Sequence, residues 1–186
     1  MPCNCGRNRN GGAAAPLPDQ AIILAETQWG PMLWLYLHCL AEKIGQSGNR
    51  IVDTDQANYM ETLLTMLPLI LPCKDCQLHA TTYLIAHPVP TLRGRYAMDL
   101  QAAVRQWLFE FHNTVRRDNQ QSILIETVED CQAHYAQCMI SKADYHFIVQ
   151  SVTAAIRQGW VRIEHWRKWY SNSERLRILT GNVVST

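Results

Sequence analysis

The segment from Tyr96 to Asp118 constrains the fold more than any other, because Leu100, Val104, Trp107, Phe111 and Val115 recur at i, i+4, i+7, i+11 and i+15. That spacing draws a continuous apolar stripe along an amphipathic α-helix and does not fit the two-residue period of a strand. Phe109, His112 and Arg116 share a neighbouring face of the same helix, so one surface packs and another is placed to bind.

The rest of the chain repeats this helical grammar. From Glu26 to Ile44, the residues Trp29, Leu33, Leu37, Leu40 and Ile44 hold helical spacing, with Trp34, His38 and Ala41 in an adjacent row, which predicts a helix buried on most of its surface. Asp53 with Gln56 three residues on reads as a helix cap ahead of Tyr59, Leu63, Leu67 and Ile70, in a helix strained or ended near Pro68 and Pro72. Cys73 to Ala86 lacks Gly and Pro and predicts a helix opening just after a proline, closed by His87-Pro88 and Pro90. Ser141 with Asp144 forms a capping-box pattern, and Ile148, Val152 and Ile156 carry a helix to about Gln158. Ile123-Leu124-Ile125 suits a short extended piece. Strands alternating with helices are absent from the pattern, so the fold class is all-α.

A chain of 186 residues, 47% apolar and 18% charged, with a formal net charge of +1, supports one core and excludes a disordered chain or a duplex-DNA binder held by bulk charge. Residues 1–20, rich in Gly, Ala and Pro, read as a flexible tail that carries Cys3 and Cys5; residues 21–158 read as the domain, and 159–186 as a C-terminal extension. In that extension Trp160, Trp166 and Trp169 sit among Arg162, Arg167, Lys168, Arg175 and Arg177, a composition suited to packing on the bundle. No apolar run approaches the ~20 residues of a membrane span, and Met1–Gly12 has no signal-peptide core, so the expected location is cytoplasmic rather than secreted. Seven cysteines in such a compartment point to metal or redox chemistry.

Cys73-Lys74-Asp75-Cys76 is the centre of that chemistry. A Cys-x-x-Cys at a helix start puts one thiol in the field of the helix dipole, lowers its pKa and makes it a nucleophile for exchange. The same spacing also serves zinc, but Cys73, Cys76 and His79 crowd three ligands into little more than one helical turn, and no second CxxC or HxxxH completes a closed site. A thioredoxin-like reading requires a strand before the motif, and the pattern holds none. Taken singly, Trp29, Trp34 and Trp107 read as core residues, and His38 and His112 as half-buried histidines.

Three runs in order carry more: Trp29-Gly30-Pro31-Met32-Leu33-Trp34-Leu35-Tyr36-Leu37-His38, then Leu71-Pro72-Cys73-Lys74-Asp75-Cys76-Gln77-Leu78-His79, then Trp107-Leu108-Phe109-Glu110-Phe111-His112-Asn113-Thr114-Val115. They resemble the WxxLH, PCxxCxxH and WxxxxHNxV signatures of the Erv/ALR flavin-linked sulfhydryl oxidases, and the Trp-Gly-Pro opening resembles members encoded by large cytoplasmic DNA viruses. The resemblance implies a four-helix bundle plus a short fifth helix, with FAD held at one end. It implies Trp29, Trp34, His38, Cys76, His79, Trp107, His112, Asn113 and Val115 around the cofactor, Cys76 as the flavin-proximal sulfur and Cys73 as the exchange sulfur; Arg116, on the helix face of His112, is placed to meet the pyrophosphate. Thiol-bearing protein substrates, dioxygen as acceptor with hydrogen peroxide as product, and a homodimer follow on the same basis, in host cytoplasm or virion; no nucleic-acid partner is expected. Competing readings are a non-enzymatic helical module holding zinc, and a structural virion protein that keeps the fold without flavin.

The chain departs from the family pattern at Arg116, where an asparagine is usual, and at Phe109, where many members carry a cysteine that pairs with a later one. Cys39, next to His38 on a packed helix, reads as a small core hydrophobe. Cys131 and Cys138 lie ~10.5 Å apart along a straight helix and cannot pair within one; a local disulfide across a bend ranks ahead of free thiols or other partners. Cys3 and Cys5 fit either a shuttle on a mobile arm or ordinary surface thiols.

Overall fold

The computed structural model describes residues 26–181. Eight helices and no strand occur among them: α1 (Glu26–Lys43), α2 (Arg50–Thr65), α3 (Leu67–Ile70), α4 (Lys74–Ala86), α5 (Ala97–Asp118), α6 (Val128–Tyr135), α7 (Lys142–Arg157) and α8 (Ile163–Leu179). The all-α class is as the periodicity requires. No helix among the described residues is long and apolar enough to cross a membrane.

α1 is the central element. It packs on α5, α6 and α7, and its residues from Tyr36 to Glu42 are all buried. α5 buries the stripe of Leu100, Val104, Trp107 and Phe111 against it. α2 lies along α8, and the single-turn α3 joins α2 to the loop that carries Cys73. The tryptophans after Gly159 enter the core: Trp169 is fully buried, donates from its indole to the Leu63 carbonyl at 3.2 Å and stacks on Trp166. Ser173 of α8 meets both the Tyr36 and Tyr145 hydroxyls, tying α8 to α1 and α7.

The cap of α2 differs from the expected Asp53/Gln56 pair. Asn49 is the N-cap, its side-chain oxygen accepting from the Ile51 and Val52 amides at 2.9 and 3.4 Å. Asp53 and Gln56 are buried and brace other elements instead. The Asp53 carboxylate accepts from the Ala97 amide at 3.0 Å and the Ser47 hydroxyl at 2.6 Å, while Gln56 accepts from Gly45 and donates to the Leu179 carbonyl. These bonds draw the end of α1, the start of α5 and the end of α8 onto α2. Gly45 belongs to this junction: its φ is +71°, and a Cβ there would lie 2.2 Å from the Ala97 carbonyl oxygen.

Two regions depart from the sequence reading. Ile123–Ile125 form no strand, and the next residues enter α6, whose N-cap Thr127 exchanges hydrogen bonds with Asp130. Cys39 is also no mere hydrophobe, and Cys138 does not pair with Cys131. Cys39 and Cys138 form a disulfide, with Cα atoms 5.6 Å apart, which pins the segment between α6 and α7 to α1; Cys131 is free and buried. Spacing arithmetic tests only a local partner, whereas this bond joins residues 99 positions apart through the packing of α1 against α6 and α7.

Closing so long a loop restricts the unfolded chain, so replacing both Cys39 and Cys138 by Ser is expected to lower the unfolding free energy by about 4 kcal/mol, measured by urea denaturation. Peptide mapping without reduction should recover Cys39 linked to Cys138; a Cys131–Cys138 peptide would contradict the fold.

Candidate functional site

α1 and α5 run antiparallel across the site and meet in a ladder of side chains. Arg105 donates through Nε and a terminal nitrogen to the two Glu42 carboxylate oxygens, both at 2.6 Å, with both groups buried. One turn back on α1, His38 Nε2 lies 3.2 Å from His112 Nδ1. Another turn back, the Trp34 indole stacks on the His112 ring, centroids 4.2 Å apart and planes within 5°, with its edge towards Phe111. His38 is covered on its other side by Tyr135 of α6, stacked at 4.3 Å.

Burial holds both imidazoles neutral. It lowers the His38 pKa to about 3, assisted by His112 and His134, and that of His112 to about 4, assisted by the Arg116 cation. Burial pushes the Cys131 thiol up to about 11, so it keeps its proton, and its sulfur lies 3.7 Å from His38 Nδ1. Neutral His38 and His112 have one proton to share between Nε2 and Nδ1, and the other ring nitrogen of His38 faces the Cys131 sulfur.

The Cys73–Cys76 pair is oxidised, with Cα atoms 5.2 Å apart. Cys73 is the N-cap of α4, its sulfur accepting from the Cys76 amide at 3.2 Å. A thiolate released there meets the positive end of the helix and an amide already aimed at it. The loop before it is braced by Gln77, whose side-chain amide donates to the Leu71 carbonyl at 2.8 Å and the Trp160 carbonyl at 3.1 Å. Trp160 in turn lies under the Lys74 ammonium, 5.8 Å from its ring centre.

Cys76 opens onto a cleft of about 580 Å³, counted out to solvent, within the range of small-molecule sites. Trp29, Leu33 and Trp34 of α1 wall it with Leu67 and Leu71, with His79 and Ala80 of α4, and with Phe111, Val115 and Asn119 of the α5 end. The Asn119 Oδ1 is buried there without a hydrogen-bond partner. Behind the Trp34–His112 stack, a second cleft of about 510 Å³ is lined by His38, Phe109, His112, Asn113, Arg116, Cys131, His134 and Tyr135. Two aromatic-walled clefts back to back, one ending on a redox sulfur, suit a ligand with two planar parts. FAD fits this chemistry: planar rings for the stacked walls, and a heterocycle edge for the orphan carbonyl of Asn119.

Most residues singled out from the sequence come together here: Trp29, Trp34, Cys76, His79 and Val115 line the first cleft, and His38, His112, Asn113 and Arg116 the second. Cys73 caps the helix outside the first cleft. Trp107 lines neither; it is buried and donates to the His87 carbonyl at the end of α4. Asn113 donates to the Ile125 carbonyl and Arg116 to the Ser122 carbonyl, so both hold the loop that closes the second cleft. Cys3 and Cys5 lie outside the described residues. Gln77, Asn119 and Tyr135 are site residues not singled out from the sequence, and Cys131, expected in a local disulfide, lines the second cleft instead. A Thr127-x-x-Asp130 cap would have announced α6 and with it Cys131 and Tyr135. Among the described residues no group of three or more His, Cys, Asp or Glu is disposed to hold a metal ion.

A profile of the Erv1/Alr family matches residues 31–137. The chain is similar to two proteins named FAD-linked sulfhydryl oxidase ERV1. It is 28% identical to that of Arabidopsis thaliana over 103 residues, 55% of this chain and 48% of the relative. It is 29% identical to that of Oryza sativa subsp. japonica over 99 residues, 53% and 45% of the two chains. The chain thus spans about half the length of the curated relatives it matches. No solved structure matches it.

The neutral histidines make stability depend on pH. Their folded pKa values lie below the free value of ~6.5, so the unfolded chain binds more protons from about pH 6.5 down to about 4 at His112 and about 3 at His38, and stability is complete above that window and falls as pH is lowered through it. Thermal and urea unfolding at pH 7.5 and 5 should differ by about 4 kcal/mol, half of it from each histidine, with a shallower dependence in His112→Gln. An equal slope in that variant would show that His112 is not held neutral by its site.

Proposed function

Because the chain belongs to the Erv1/Alr family, we propose that it is an FAD-dependent thiol oxidase that makes disulfides in protein substrates through Cys73 and Cys76. The observation that carries this reading is the placement of the Cys73–Cys76 disulfide: its outer sulfur caps α4, and its inner sulfur opens onto the cleft walled by Trp34 and Phe111.

A substrate thiolate attacks Cys73, forming a mixed disulfide and releasing Cys76 as a thiolate. A second substrate thiolate then attacks the substrate sulfur of that bond, yielding the substrate disulfide and leaving the Cys73 thiolate in the field of the α4 N-terminus. Two substrate thiols are oxidised and one enzyme disulfide is reduced. FAD held between these clefts would supply the acceptor for the electron pair of the Cys73/Cys76 dithiol, with dioxygen as the final oxidant and hydrogen peroxide as product. Trp29, Trp34 and Phe111 offer apolar and aromatic walls to the ring, and His112 and His38 stay uncharged beside it. Burial of Cys131, with its thiol pKa raised, keeps that cysteine out of the exchange.

Cys3 and Cys5 are proposed as a relay between substrate and Cys73, and the enzyme is proposed to act as a homodimer in host cytoplasm or in a virion, on the resemblance of the Trp29-Gly30-Pro31 and Phe109-x-Phe111-His112-Asn113 runs to virus-encoded members. The purified full chain should show the visible bands of an oxidised flavin and consume dioxygen with dithiothreitol, releasing peroxide. Cys73→Ser and Cys76→Ser should each reduce turnover by at least ~100-fold while retaining the flavin. A colourless protein, or one whose turnover survives Cys76→Ser, would overturn the reading.

A further inference from the structure

The end of α5 is built to present one side chain to the first cleft. Gln120 takes a left-handed conformation at φ +57° although it is not glycine, and its amide donates to the Arg117 carbonyl at 2.9 Å while the Gln121 amide donates to the Arg116 carbonyl at 2.8 Å. These are the two closing bonds of a Schellman cap, with Asn119 as the C-cap residue. The Asn119 amide N–H is itself used, bonding to the Val115 and Arg117 carbonyls. What is left over is the side-chain oxygen, which is buried, lines the same cleft as Cys76 and has no partner.

Buried acceptors without a donor are rare in folded proteins, because the oxygen has lost water and gained nothing in return. The cleft also holds the Trp29 and Trp34 indoles and His79, yet none of their N–H groups bonds to this oxygen, and Leu33, Leu67, Phe111 and Val115 have no donor to offer. The donor therefore belongs to the occupant. An oxidised isoalloxazine carries a single ring N–H, at the imide nitrogen between its two carbonyls, and a carbonyl oxygen is its natural acceptor. Resting on the FAD reading above, we infer that Asn119 Oδ1 accepts a hydrogen bond from the imide N–H of the bound flavin, and so selects which edge of the ring faces the end of α5.

The test uses the full chain, stripped of flavin and titrated with FAD or with FAD methylated at the imide nitrogen, followed by flavin fluorescence. Wild type should bind FAD about 10-fold or more tightly than the methylated form. Asn119→Leu should lose about 10-fold in FAD affinity and no longer distinguish the two ligands, while its flavin-free melting temperature is not lowered, since the substitution removes an unsatisfied oxygen. Asn119→Asp, which keeps an acceptor at the same place, should still prefer FAD. If wild type binds FAD and Asn119→Leu binds it equally well with the same preference over the methylated form, the oxygen is satisfied by solvent and the inference is overturned with the FAD reading intact. If wild type binds no FAD, both fall.

Discussion

The buried ion pair between Glu42 and Arg105 sets the register on which the site depends. Glu42, His38 and Trp34 lie one turn apart on α1, and Arg105 and His112 two turns apart on α5, so seating one pair brings the next into contact: carboxylate on guanidinium, imidazole on imidazole, indole on imidazole. Gln101 strengthens the anchor by donating to the Glu42 backbone carbonyl at 2.8 Å. Two desolvated charges gain little net stability by pairing, but leaving either alone costs about 3–5 kcal/mol. Such a pair tolerates one alignment of its helices and penalises a slip by a turn. In this chain that alignment places the aromatic walls of both clefts.

The site then divides into an electrophile and a frame. The electrophile is the Cys73–Cys76 disulfide, which owes its position to the N-cap of α4 and to Gln77, whose two hydrogen bonds reach both the Leu71 loop and Trp160. Trp160 lies beyond the stretch matched by the Erv1/Alr profile, so the segment between α7 and α8 helps hold the reactive loop. The frame is the uncharged row of Cys131, His38 and His112, in contact one with the next. A second disulfide, Cys39–Cys138, fixes α1 to the segment that follows α6, next to His38 in sequence. With Phe109 on α5, that helix offers no sulfur at this position, and Cys138 pairs instead with Cys39 of α1.

What the sequence disclosed follows from the range of the interactions that encode it. The α5 stripe and the Ser141–Asp144 capping box are local periodicities, and the structure has both, the latter with reciprocal bonds. The Cys73-x-x-Cys76 pair is local too, and spacing alone pointed to a helix start. The misreadings concern side chains whose partners are distant. Asp53 and Gln56 form a plausible local cap, yet they bond to Ala97, Gly45 and Leu179. Cys39 has no neighbour in sequence to betray its pairing with Cys138. Asn119 looks like an ordinary helix-ending residue, and only the packed cleft shows that its oxygen lacks a donor. Helix α6 was legible through its Thr127–Asp130 cap but lay beside the apolar Ile123–Ile125 run, which suggested a strand.

In the proposed reaction Cys76 passes an electron pair to a flavin held in the cleft between α1, α4 and α5. The most direct measurement is an anaerobic titration of the flavin-bearing protein with a dithiol, followed in the visible spectrum. The oxidised-flavin bands should bleach in wild type and recover when air is admitted, and should persist in Cys76→Ser. Bleaching at the wild-type rate in Cys76→Ser, or flavin bands in wild type indifferent to dithiol, would contradict the proposed reaction.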